Sequence, residues 1–215
     1  MSHKFIRPFG PTIYQGKLTS KEIEYLQDVA LATAEARNNV GKGLAGNIKE
    51  QLGIVIDDQA KFMETVQPHL SRFMQFEDER TQQHLIQRAP EIPKEFYDNL
   101  HFDLGTGPWI NYQAAHEFNP LHSHDGLLST VVYIDVPEVI ATEKYSENSH
   151  IECAGQIEFS YGTDVLGVNG THKIVPQTGD FLIFHAGLNH TVYPFRSNVV
   201  RTSMSFNVME IGKGE

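Results

Sequence analysis

The chain is poor in cysteine. Among 215 residues there is one, Cys153, so no disulfide can form within the chain and a disulfide-stapled fold is excluded. Long apolar runs are also missing. No stretch approaches the roughly eighteen apolar residues of a membrane-spanning helix. The Met1–Pro8 segment carries Lys4 and Arg7 but no apolar run follows, so no secretory signal is expected there. Positive charge is in deficit, with 17 Lys and Arg against 27 Asp and Glu and a net charge of −10. A phosphate backbone would repel such a surface, so long nucleic acid is not an expected partner. There is no like-charge block, internal repeat or low-complexity segment.

What is present is ordinary for a globular protein, at 40% apolar and 20% charged residues. The length suits one domain over residues 1–215, with 1–80 as a lead-in and helical layer and 81–210 as the core. A cytoplasmic location is the default, and a homodimer is the base-rate assembly.

Phe5 to Tyr14 holds Pro8, Gly10 and Pro11 and reads as an edge strand or extended lead-in. Thr19 to Asn38 reads as a helix opened by a Thr19–Glu22 capping box and closed in the Asn38–Gly43 stretch. Gly43 to Ile56 is glycine-studded and expected to be irregular. Asp57-Asp58 can cap a second helix over Gln59–Phe76, which Pro68 should kink or split. From Gln82 on, short runs between turn residues predict strands near 96–104, 108–113, 127–135, 154–160, 171–175, 181–184, 190–193 and 199–209. The fold class is therefore mainly β with N-terminal helices, as a jelly roll.

The chemistry concentrates between Leu121 and Asn207. If Leu121–Asp125 is extended, His122 and His124 share one face and Asp125 points away, so two imidazoles can share a metal. The next strand puts Ser129, Val131, Tyr133 and Asp135 on one face. Phe181–Phe184 is apolar enough to be buried on both faces, and His190 follows it. The strand Val199–Met209 alternates cleanly: Arg201, Ser203, Ser205 and Asn207 on one face, Val200, Thr202, Met204, Phe206 and Val208 on the other. A guanidinium there can grip a carboxylate through two parallel bonds. The residues favour a mononuclear iron site with a cosubstrate clamp. The remaining histidines and Cys153 read as structural: His69, His84, His101 and His172 as side chains without metal partners, His116 as a loop residue. His185, close to His190, could be a decoy or could support that ring from behind.

These residues resemble the 2-oxoglutarate/Fe(II)-dependent oxygenases, and more narrowly an oxygenase family common in bacteria and marine phages. The resemblance runs through Trp109-Ile110-Asn111, His122-Ser123-His124, Ser129 to Tyr133, Gly179 to Phe184, His190 and Arg201-Thr202-Ser203-Met204-Ser205-Phe206-Asn207. It implies a double-stranded β-helix (jelly-roll/cupin-like) core. It implies iron held by His122, His190 and His124, with Asp125 as the alternative third ligand, since the superfamily more often carries a carboxylate there. It implies 2-oxoglutarate bound through Arg201, with Tyr133 or Ser203, and Asn111 and Asn207 as supporting candidates. The expected reaction consumes O2, releases succinate and CO2, and hydroxylates a small-molecule or side-chain substrate that the sequence does not identify. Two alternatives stay open: a cupin-like three-histidine metalloenzyme without 2-oxoglutarate, and a non-catalytic jelly-roll binding module.

Overall fold

A computed structural model describes residues 2–8, 10–83, 92–144, 150, 152–163 and 169–213. In chain order the elements are β1 (His3–Ile6), β2 (Ile13–Lys17), α1 (Ser20–Ala36), β3 (Gln51–Gly53), α2 (Gln59–Gln83), α3 (Lys94–Asp98), β4 (Leu100–Asp103), β5 (Trp109–Gln113), β6 (Asn119–His122), β7 (Leu128–Asp135), α4 (Glu138–Thr142), β8 (Ile157–Ser160), β9 (Thr171–Ile174), β10 (Asp180–His185), β11 (Asn189–Val192), β12 (Arg201–Val208) and β13 (Glu210–Lys213). Seven strands form the larger sheet in the order β1-β2-β10-β7-β12-β5-β3. Four form the smaller one, β6-β11-β8-β9, and β13 pairs with β4 apart from both. The strand pairs are antiparallel, and the architecture is the expected jelly roll with N-terminal helices.

The larger sheet is apolar on both faces for part of its width. On its helix side, Leu26, Phe62, Val66, Leu70 and Phe73 pack against Ile110, Leu128, Val132, Phe181, Ile183, Met204 and Phe206. On its other side, Leu182, Phe184 and Tyr133 meet Ile157, Phe159 and Val192 of the smaller sheet. So Phe181–Phe184 alternates between two cores, which is what a run with no polar residue requires. Each fully buried Phe stabilises the fold by about 1.5–3 kcal/mol.

Several elements differ from the sequence expectation. The Thr19–Glu22 capping box forms, but the left-handed cap is Arg37 (φ 54°), whose amide donates to the Thr33 carbonyl, rather than an Asn or Gly further on. Asp58 caps α2 by accepting from the Lys61 amide. That helix runs unbroken through Pro68 to Gln83. Val66, Leu70 and Phe73, fully buried on either side of the proline, outweigh the roughly 3 kcal/mol a mid-helix proline costs. The predicted 96–104 strand begins as α3, because Pro93 starts a helical turn there, Tyr97 buries and its hydroxyl donates to Asp78 at 2.6 Å. The 43–56 stretch is not wholly irregular, since β3 pairs with β5. The 5–14 lead-in is a hairpin, with β1 at the sheet edge and β2 inside it. The first 80 residues therefore supply strands to the larger sheet as well as helices. Among the described residues no helix is long and apolar enough to cross a membrane. His84 lies outside the described residues.

Candidate metal centre

The smaller sheet delivers two histidines in register. His190 on β11 pairs directly with His122 at the end of β6. The expected extension to Asp125 does not occur: β6 stops at His122 and the chain turns, with Gly126 at φ 100°. His124 still reaches the other two, because its amide donates to the Ala186 carbonyl at 2.9 Å. Ring centroids lie 4.2 Å (His122–His190), 4.8 Å (His122–His124) and 5.1 Å (His124–His190) apart. One ring nitrogen from each falls within 4.8 Å of the others. Asp125 is exposed and outside this cluster.

Two tautomers are set by the backbone. His122 Nδ1 faces the Pro120 carbonyl at 2.7 Å and His190 Nδ1 faces the Leu188 carbonyl at 2.9 Å. A carbonyl only accepts, so each Nδ1 carries the proton and each Nε2 keeps a free lone pair. Burial, reinforced by His122 and His124, brings His190 down to about 3. Burial and His122 bring His124 down to about 4, with Asp125 opposing. Both rings are therefore neutral at pH 7, the form that binds a metal.

The polar face of the larger sheet lies across from these rings. A narrow cavity against the triad is lined by Asn111, Ser129, Val131, Ser205 and Gln51. Asn111 accepts from Gln51 Nε2 at 2.9 Å. Arg201, Ser203 and Tyr133 do not line this cavity; all three are buried deeper between the sheets. A register shift at Thr202/Ser203 separates Arg201 from the regular β7 pairing and sets it opposite Gln113 on β5. Its guanidinium donates to the Gly155 carbonyl and to Gln113 Oε1, and sits 5.4 Å from the centre of the Tyr133 ring. Among the described residues no carboxylate pairs with Arg201. Among the described residues its Nε and the Tyr133 hydroxyl have no hydrogen-bond partner. Burial pushes the Tyr133 phenol up to about 12, so it stays protonated. A buried cation without a counter-ion, beside an unbonded phenol, is a fitting receptor for a carboxylate.

Asn207 faces a second, larger groove rather than the triad cavity. His185 points away from the triad, to Glu77 on α2 at 3.3 Å. His69 is fully buried on the helix side, bonded to the Tyr14 hydroxyl at 2.8 Å. His116 and His101 are exposed, and burial pushes the Cys153 thiol up. Gln113, Gly155 and Gln51 were not singled out from the sequence. The alternation Trp109, Asn111, Gln113 contains the signal for Gln113. Nothing local marks Gln51.

Three converging imidazoles that could hold a metal ion, and a buried arginine with no carboxylate partner among the described residues, lie between the two sheets. Residues 107–207, a little under half of the chain, match the family described as "Putative 2OG-Fe(II) oxygenase". That family's description names Fe(II) and 2-oxoglutarate, and the three histidines are a group that could hold a metal ion. The fold is similar to a Pseudomonas putida prolyl-4-hydroxylase at TM-score 0.52 and 14% identity, over 91% of this chain and 92% of that one. A prolyl hydroxylase from Trichoplax adhaerens aligns at TM-score 0.48 and 16% identity, over 95% and 81%. HygX from Streptomyces hygroscopicus, solved with nickel and 2-oxoglutarate bound, aligns at 0.47 and 10%, over 93% and 82%. No curated protein matches the chain.

Proposed function

We propose that this protein is a 2-oxoglutarate- and Fe(II)-dependent dioxygenase that hydroxylates its substrate. One C–H bond becomes C–OH, one atom of O2 enters that product, the other enters succinate, and CO2 leaves. The observation that carries the reading is the pairing of the three converging histidines with the unsatisfied Arg201–Tyr133 donors.

His122, His124 and His190 would hold the iron, and in His122 and His190 the Nδ1 faces a backbone carbonyl, which leaves Nε2 to bind it. The bound iron with 2-oxoglutarate supplies the oxidising power, and the protein's residues aim and enclose it. Arg201 receives the distal carboxylate of 2-oxoglutarate, and the Tyr133 hydroxyl donates a further bond to it. Ser203 stands on the same face of β12. Gln113 orients the guanidinium, and Glu117 orients Gln113: the Gln113 amide donates to the Glu117 carbonyl. Gln51 holds Asn111 against the triad cavity. Seating the cosubstrate requires that narrow cavity to widen toward Arg201. Phe159 and Phe184, both fully buried beside His190, exclude water from that side of its ring.

The test is kinetic. Arg201→Ala should raise the KM for 2-oxoglutarate at least about tenfold, since a charge-assisted bidentate contact is lost, while iron content is kept. His190→Ala should lose iron. Normal turnover in both variants would overturn the assignment.

A further inference from the structure

Beyond the triad lies a groove whose lining speaks to the substrate. The inference rests on the oxygenase reading above and concerns the molecule that site would take. The groove has a volume of about 540 Å³ and lies beside His122 and His124. That is within the size range of small-molecule sites. Leu44 and Ala45 form one wall, the Gly105-Thr106-Gly107 turn another, and Trp109 and Met209 supply apolar surface. Among the described residues no lysine or arginine lines it, and Asp125 is the one carboxylate that does. Asn207 borders the same space, and its Oδ1 is buried and accepts no hydrogen bond.

An anionic substrate would meet Asp125 with no cation to offset it. A purely apolar one would leave the Asn207 oxygen desolvated and unbonded. A protonated amine answers both, and Trp109 offers apolar surface to its carbon chain. We propose that the substrate carries an aliphatic ammonium group, which pairs with Asp125 and donates to Asn207 Oδ1, with its carbon chain lying along Trp109 toward the triad. The amine belongs either to a free small molecule or to a lysine side chain of a peptide.

The test is calorimetric titration of the full chain, metal-free and again with Fe(II) and 2-oxoglutarate under nitrogen. The probes are n-butylammonium, neutral n-pentanol and anionic valerate. Butylammonium should bind at least about tenfold more tightly than pentanol, valerate should bind worst, and Asp125→Asn should erase the preference while Asp125→Glu restores it. Nα-acetyl-lysine amide against a lysine-centred pentapeptide then separates the two sources. Equal binding of butylammonium and pentanol, or no effect of Asp125→Asn, would overturn the proposal. If iron and 2-oxoglutarate bind but the ammonium preference is absent, only the substrate assignment falls. If the ammonium preference is present but iron and 2-oxoglutarate do not bind, the oxygenase reading falls instead.

Discussion

The two sides of the larger sheet each bury a histidine, and only one side makes a site of it. On the helix side His69 is fully buried, and burial brings it down to about 3. On the cavity side His190 is 3% exposed and is brought down equally far, again chiefly by burial. Their surroundings differ. His69 bonds one phenol, Tyr14, and packs on Phe181 at 4.5 Å between ring centres. His190 meets two other imidazoles. Burial is the main cause of the low value in both; only at His190 do other imidazoles converge. The same contrast runs along the strands. β12 gives Met204, Phe206 and Val208 to the helix-side core and turns Ser203, Ser205 and Asn207 the other way.

The contrast can be tested on stability first. Phe181→Ala, a large deletion in the helix-side core, should cost about 3–5 kcal/mol by urea unfolding. Ser205→Ala, on the cavity side of the same sheet, should cost under about 1 kcal/mol. Similar costs for the two would mean that the faces are not specialised.

Metal affinity separates the histidines next. His190→Ala should weaken Fe(II) binding at least about a hundredfold in anaerobic equilibrium dialysis. His69→Gln, which can keep a bond to Tyr14, should leave affinity within about twofold while lowering stability. Iron loss in His69→Gln comparable to that in His190→Ala would erase the distinction.

The last contrast is in pH. His69 stays neutral when folded, while the unfolded chain takes up its proton near 6.5. The unfolded state therefore binds more protons between pH 6.5 and about 3. Its contribution is full above 6.5 and is lost as pH falls toward 3, with a slope of up to about 1.4 kcal/mol per pH unit. In metal-free protein His69→Gln should flatten this fall, measured by urea unfolding at each pH. An unchanged slope would contradict the assignment of a neutral, buried His69.

Much of the cavity side was legible in the sequence because period-two alternation carries two messages at once. The strands β7 and β12 showed an apolar set for one face and a polar set for the other. The order His122, His124, His190, Arg201 then placed the chemistry on the polar side. The choice between His124 and Asp125 was not legible, since it depends on where β6 ends and how the turn at Gly126 swings the next side chains. Gln51 was hidden because β3 is only three residues long and owes its strand character to pairing with β5. The α3 turn was hidden because Phe96 and Tyr97 favour strands in isolation, and only the Tyr97–Asp78 contact with α2 reveals why they coil. Pro68 misled for the same reason: its local cost was visible and the burial that offsets it was not.

The most direct test of the central claim is an anaerobic titration of the Fe(II)-loaded protein with 2-oxoglutarate, followed by visible absorption. The account predicts a weak charge-transfer band that saturates in the native protein and is absent in Arg201→Ala at the same 2-oxoglutarate concentration. Bound iron with no band in the native protein would contradict it and favour a three-histidine enzyme that uses no 2-oxoglutarate.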